Sequence, residues 1–156
     1  MWPTWAYFVS DECDYLDLIS EQLEFSSRPF SDFVAAALES RHQGRIGPLS
    51  QLVLPALLQC RTASERDRAR VRCLRVLNAA QSRADQPRQS KLKITELGLT
   101  ADATTDPFTG TPLRLRRTTA GWLVYSVGEN RQDDGGDLNG LRDIGVGPNR
   151  PSPDGQ

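Results

Sequence analysis

Residues 113–127 read Leu113-Arg114-Leu115-Arg116-Arg117-Thr118-Thr119-Ala120-Gly121-Trp122-Leu123-Val124-Tyr125-Ser126-Val127, and this stretch decides the fold. Leu113 to Arg116 alternate apolar and charged with a period of two, the signature of a strand with one covered face. Thr119-Ala120-Gly121 supplies turn chemistry, and Trp122 to Val127 return as a strand that is apolar on almost every position. A β-hairpin follows. Its second strand needs cover on both faces, so at least one face is expected to lie against a helix.

Upstream of the hairpin, a connector carries Leu92, Ile94, Leu97 and Leu99, and before it the periodicity is helical. Leu49, Leu52, Val53, Ala56, Leu57 and Cys60 recur at three- and four-residue spacing, one apolar stripe. Pro55 lacks an N–H and crowds the preceding turn, which predicts a kink or a helix start there. A further stretch opens at Ser64 with Glu65 and Asp67, and places Val71, Leu74, Leu77 and Ala80 inward until Gln86-Pro87 ends it. Nearer the N-terminus, Leu16, Ile19 and Leu23 mark an acidic amphipathic helix over 11–25. Ser31 caps another, through Phe33, Val34, Ala37 and Leu38 to Gly44. Beyond Val146 the chain is too poor in apolar residues to offset the cost of ordering, and a disordered tail is expected.

The fold class is therefore α+β: N-terminal helices, one long helix packed on a small antiparallel β-hairpin sheet, an Asp/Gly-rich loop and a disordered tail. The segments are 1–48, 49–145 and 146–156. A length of 156 residues suits one domain with an appendage. A formal net charge of -1 provides no global field to steer nucleic acid or an anionic membrane toward the protein. Charge is uneven, however: ten basic residues face three acids between Arg61 and Lys93, whereas residues 1–27 hold six acids and no base. No aromatic residues interleave with the arginines, so these are read as solvated or mutually pairing faces, and no nucleic-acid partner is expected.

Trp2, Trp5, Tyr7 and Phe8 form an apolar opening far shorter than the roughly 20 residues of a spanning helix, and no basic secretory region precedes them. No membrane span and no signal peptide are expected. Cys13, Cys60 and Cys73 form neither an even disulfide framework nor a paired metal spacing, and are read as small buried hydrophobes. Cys60 and Cys73 lie roughly 20 Å apart along one helix and cannot bridge.

His42 is the single histidine, which excludes a multi-histidine metal site or a histidine triad within one chain. No phosphate-cradling glycine loop and no nucleophile elbow occur. No acidic pair is placed as a catalytic dyad, and no catalytic residue is assigned. The remaining chemistry lies in the loop 129–143. Calcium takes six to eight hard oxygens, which carboxylates and carbonyls in a glycine-permitted loop supply. Asp133, Asp134, Asp137 and Asp143 are the candidate ligands. Asp, Asn and Gly are equally the ordinary residues of turns, and the spacing is not that of an EF-hand.

Asp106-Pro107-Phe108-Thr109-Gly110-Thr111-Pro112-Leu113, then Tyr125-Ser126-Val127-Gly128, Asp133-Asp134-Gly135-Gly136 and Asp143-Ile144, resemble the C-terminal region of type II secretion major pseudopilins, and are similar to uncharacterised bacterial proteins with the same ending. The resemblance spans about residues 49–145. It implies a long helix packed on a small sheet, and calcium in the acidic loop stabilising the head. Where the family has Asp-Gly after its Tyr-Ser-x-Gly turn, this chain has Asn130-Arg131. The family's leader and apolar anchor have no counterpart ahead of the helix, so the expected protein is an anchorless head, with a cell-envelope location if an anchor is encoded upstream of Met1.

The function expected is non-enzymatic: a structural or protein-interaction protein with an unidentified protein partner and no required cofactor, calcium being the candidate ion of the loop. The alternative is a soluble binding module that reuses this fold, with the aromatic N-terminus and acidic helix as its contact surface. An enzyme would need a pocket of convergent titratable groups.

Overall fold

The computed structural model describes Pro48–Ala84, residues 92–138 and residues 142–148, together with Cys13, Leu16, Asp17, Ser20, Phe30 and Asp32. The remainder of the two expected N-terminal helices, the aromatic opening, His42 and the tail from 149 onward lie outside the described residues. The chain divides into two compact units, Met1–Ala63 and Ser64–Gln156, and the helix α1 (Pro48–Ala84) contributes to both. After it come a 3-10 turn (Ile94–Leu97), a single-turn helix α2 (Ala101–Thr104), and strands β1 (Arg114–Thr118), β2 (Gly121–Ser126) and β3 (Ile144–Val146).

Helix α1 continues through Pro55. The proline costs the hydrogen bond its N–H would have made one turn back, but the helix neither ends nor restarts there. Ser64 is likewise interior to the helix rather than its beginning. Within the first unit Leu54 is buried and packs with Leu57 and Leu58. Leu52, on the stripe read from the sequence, is 77% exposed, and Ala56 and Cys60 are exposed too. The buried line is displaced around the helix from the one that spacing suggested.

In the second unit the hairpin forms as the alternation requires. β1 and β2 pair antiparallel with Leu115 opposite Val124 and Thr118 opposite Gly121 around Thr119-Ala120. β3 adds an antiparallel neighbour on the other edge, with Ser126 opposite Ile144 and Val124 opposite Val146, giving the order β1-β2-β3. The sequence did not betray β3: Ile144-Gly145-Val146 is too short to show a period. Its pairing is imposed by the strand beside it.

One face of β2 meets the helix. Trp122 and Val124 are buried in one cluster with Cys73, Val76 and Ala80 of α1, Leu113, and Leu92 and Leu97 of the connector. Ile94, Leu99, Leu115 and Val146 close its rim. The helix residues in this cluster are thus Cys73, Val76 and Ala80, each fully buried; of the series expected from the sequence, Ala80 faces inward as read. Leu77 is only half-buried, while Val71 and Leu74 are 48% and 53% exposed. The physical reason is geometric: a helix buries one stripe, and the row Cys73, Val76 and Ala80 turns Val71 and Leu74 to the far side.

The other face of β2, Leu123 and Tyr125, is roofed by the loop between β2 and β3. Gly136 lies so close that a Cβ there would stand 2.6 Å from Leu123 Cδ2, and its φ of +80° is also one that L side chains rarely adopt.

This register makes a direct prediction. Val76→Ala should lower unfolding free energy by about 2 kcal/mol through lost burial and a residual cavity, whereas Leu74→Ala should change it by less than about 0.5 kcal/mol as an exposed substitution. Urea unfolding followed by circular dichroism reads both, and equal costs at the two positions would refute the assignment.

Candidate functional site

Two acidic constellations flank the C-terminal end of β2, and they differ in how well their oxygens are satisfied. The first is Asp106, which opens the turn before β1. Proline after aspartate initiates turns, and a short carboxylate can accept from the backbone two residues on. Asp106 Oδ1 accepts from the Phe108 N–H at 2.9 Å and from Ser126 Oγ at 2.9 Å, and Oδ2 accepts from the Val127 N–H at 3.0 Å. Its backbone is also engaged, the N–H donating to the Thr111 carbonyl at 2.7 Å and the carbonyl accepting from Gly110 at 2.9 Å. Ser126 Oγ in turn accepts from the Gly128 N–H at 3.1 Å. Asp106, Ser126 and Phe108 are all buried.

Helix α1 reaches the same place through Cys73. Its thiol contacts the Ile144 carbonyl at 3.7 Å. Burial, and then the negative charge of Asp106, push this thiol up to about 12. It is a neutral packing group at physiological pH. Of the three cysteines expected to be buried, only Cys73 is; Cys13 and Cys60 are exposed.

The second constellation is the loop after β2. Gly128 (φ +68°) begins it at a point where a Cβ would stand 2.2 Å from the Arg142 carbonyl oxygen, so the two ends of the loop touch here. Arg131 occupies the left-handed region at φ +56°, a conformation that costs a residue with a Cβ. Asn130 braces the turn, accepting from the Gln132 N–H at 3.1 Å and donating to Asp134 Oδ2 at 2.7 Å.

The candidate ligands are distributed along this loop as follows. Asp133 Oδ1 accepts from the Tyr125 hydroxyl at 2.9 Å and from the Gly135 N–H at 3.0 Å, and Oδ2 lies 3.5 Å from Arg114 Nε. Asp134 faces Arg142 at 3.8 Å. Asp143 Oδ2 accepts from the Gly136 N–H at 2.7 Å, while its buried Oδ1 has no hydrogen-bond partner. Asp137 is half-buried. Among the described residues, no three carboxylate, thiol or imidazole side chains are grouped so as to hold a metal ion. Arg114 and Arg142 stand where a cation would otherwise balance Asp133 and Asp134.

The electrostatics follow. Tyr125 is pushed up to about 12, first by burial and then by its bond to Asp133, so it remains a donor throughout the physiological range. Asp143 is raised from its ordinary value, chiefly by burial, with Asp133 and Asp134 adding repulsion; the Gly136 and Asp134 N–H groups offset part of this.

Asp143 is the acidic residue of the proposed set most plainly out of balance, and its position next to β3 is what buries it. Asp106, quoted in the sequence only as part of a motif, is the better-satisfied carboxylate. The signal that could have exposed it is the Asp-Pro pair, which marks a turn but not the strand end that the turn's carboxylate reaches.

Comparison of the chain with protein-family models, with curated proteins and with solved structures finds no match. The protein is an α+β domain whose site is defined by its own geometry. Among the described residues no helix is long and apolar enough to cross a membrane.

Two substitutions test this geometry. Asp106→Ala should destabilise the fold by about 3 kcal/mol or more, because the buried Ser126 hydroxyl and two backbone N–H groups lose an ionic acceptor; a loss under about 1 kcal/mol in urea unfolding would refute it. For Asp143 the folded carboxyl binds its proton more tightly than the unfolded one, so ionisation costs stability as pH rises from the ordinary carboxylate range through the raised value. Asp143→Asn should therefore melt higher than the parent at pH 7, and the advantage should vanish below about pH 4, near the ordinary aspartate value. A pH-independent difference would contradict the charge explanation.

Proposed function

We propose that this chain is a non-enzymatic structural or protein-interaction protein, its second unit a head of the pseudopilin kind, with calcium as an accessory ligand of the loop 129–143. The observation that carries the reading is Asp143, a buried carboxylate with one unmatched oxygen at the closure of a glycine-rich acidic loop. The order of elements supports it: a long helix against a small antiparallel sheet, then a loop that roofs the far face and returns as the edge strand. Asp133, Asp134 and Asp137 lie within the same loop and are the remaining side-chain ligands in this reading, with backbone carbonyls to complete the hard-oxygen set that calcium takes.

The energetic logic is specific to Asp143. A buried charge that is only partly matched costs stability, and a divalent ion against its unmatched oxygen reduces that cost. Binding to the folded state alone then raises stability by mass action. In this reading the arginine contacts of Asp133 and Asp134 hold the loop until the ion competes for them. A cell-envelope setting and a protein partner belong to the same proposal.

Melting of the full chain at pH 7 in millimolar calcium, against chelator, tests it. The expected outcome is a rise of several degrees with calcium that Asp143→Asn abolishes. Identical melting in calcium and chelator rejects the calcium role and removes the main support for the head reading.

A further inference from the structure

The register of α1 leaves a second face of the helix turned to solvent. Ser64, Arg68, Val71 and Arg75 follow one another at four-, three- and four-residue steps, the spacing by which one helix presents a seam to another. They line an open cleft of about 360 Å³, with Asp67, Arg72 and Asp102 on its wall. Val71, the apolar residue of its lining, is 48% exposed, and Leu74 on the neighbouring row is 53% exposed.

The charges of this face are graded. Arg72 is committed: it donates to the Thr105 carbonyl at 2.9 Å and pairs with Asp102. Arg70 pairs with Asp67 at 3.2 Å, and Arg66 with Glu129 at 2.5 Å. Arg68 shares the buried Glu65 at 3.1 Å but keeps about half of its side chain in water. Arg75 has no acidic or hydrogen-bonding partner among the described residues. Three arginines and two aspartates line the cleft, and with Asp67 and Asp102 held by Arg70 and Arg72, Arg75 and the exposed part of Arg68 give this face its positive charge.

From this we infer that the Arg68–Val71–Arg75 face is a docking surface for an acidic amphipathic helix of another protein, seating an aliphatic side chain on Val71 with carboxylates toward Arg75 and Arg68. Charge complementarity selects that occupant. A second copy docking through the same face would set arginine rows against each other, which like-charge repulsion opposes. Nucleic acid would call for aromatic platforms beside the arginines, and this face has none. The inference rests on the interaction-protein reading above but not on calcium.

The test uses the full chain and a fluorescent synthetic peptide with leucines at helical spacing on a glutamate background. A peptide of the same composition with scrambled order and a single-stranded oligonucleotide serve as competitors. Saturable binding that weakens with salt is expected. It should fall at least about tenfold for Arg75→Glu and for Val71→Ser; both positions are exposed, and unchanged circular dichroism and melting confirm that the variants fold. Equal binding of the scrambled peptide, tighter binding of the oligonucleotide, no binding, or indifference to both substitutions would overturn the proposal. So would sedimentation equilibrium showing a dimer that Arg75→Glu dissociates. Loss of peptide binding with a preserved calcium effect on melting would refute this surface alone.

Discussion

A buried carboxylate holds the second unit together. Asp106 lies before β1 in the chain, yet both of its oxygens are spent at the far end of β2, on Ser126 and Val127, and on the turn that begins with Pro107. A charge out of water is tolerated only when it is fully matched by donors. The donors available here exist only once the hairpin has closed, so the turn, the strand end and the hairpin register form as one cooperative unit. Cys73 brings α1 to the same point, with its neutral thiol against the Ile144 carbonyl of β3.

From this junction the rest of the unit is a matter of covering one strand. β2 is the central strand and is buried at nearly every position. Its Trp122 and Val124 side is closed by the helix and connector, and its Leu123 and Tyr125 side by the loop at Gly136. Arg117 adds its guanidinium over the Trp122 ring at 5.0 Å, extending cover at the sheet's edge without a large apolar residue. The loop is therefore structural before it is anything else. Its acidic residues are bound to the task of roofing a strand, and the imbalance at Asp143 arises because the same backbone must turn into β3.

The helix divides its labour by face. Cys73, Val76 and Ala80 join the sheet and connector in one buried cluster, while Val71 and Leu74 are left outward beside arginines. An apolar residue on such a face costs solubility unless something covers it, and the neighbouring guanidinium groups define what that can be. The acidic loop and the basic helix face are thus separate consequences of one packing decision.

The hairpin, its turn at Thr119-Ala120, the long helix and the apolar connector were legible in residues 49–127, because each rests on local chemistry: a period of two, a turn dipeptide, a helical spacing ended near Gln86-Pro87. The α+β class follows from those alone. What sequence could not decide was where around α1 the buried stripe is centred: Ala80 faces inward as its spacing suggested, but Cys73 and Val76 rather than Val71 and Leu74 complete the row. Nor could it show β3, whose three residues acquire strand geometry only from Val124 to Ser126 beside them. The four aspartates could be named from composition, but not that Arg114 and Arg142 reach two of them while one oxygen of Asp143 is sealed in without a donor. Those are distances between residues far apart in the chain, and tertiary structure alone sets them.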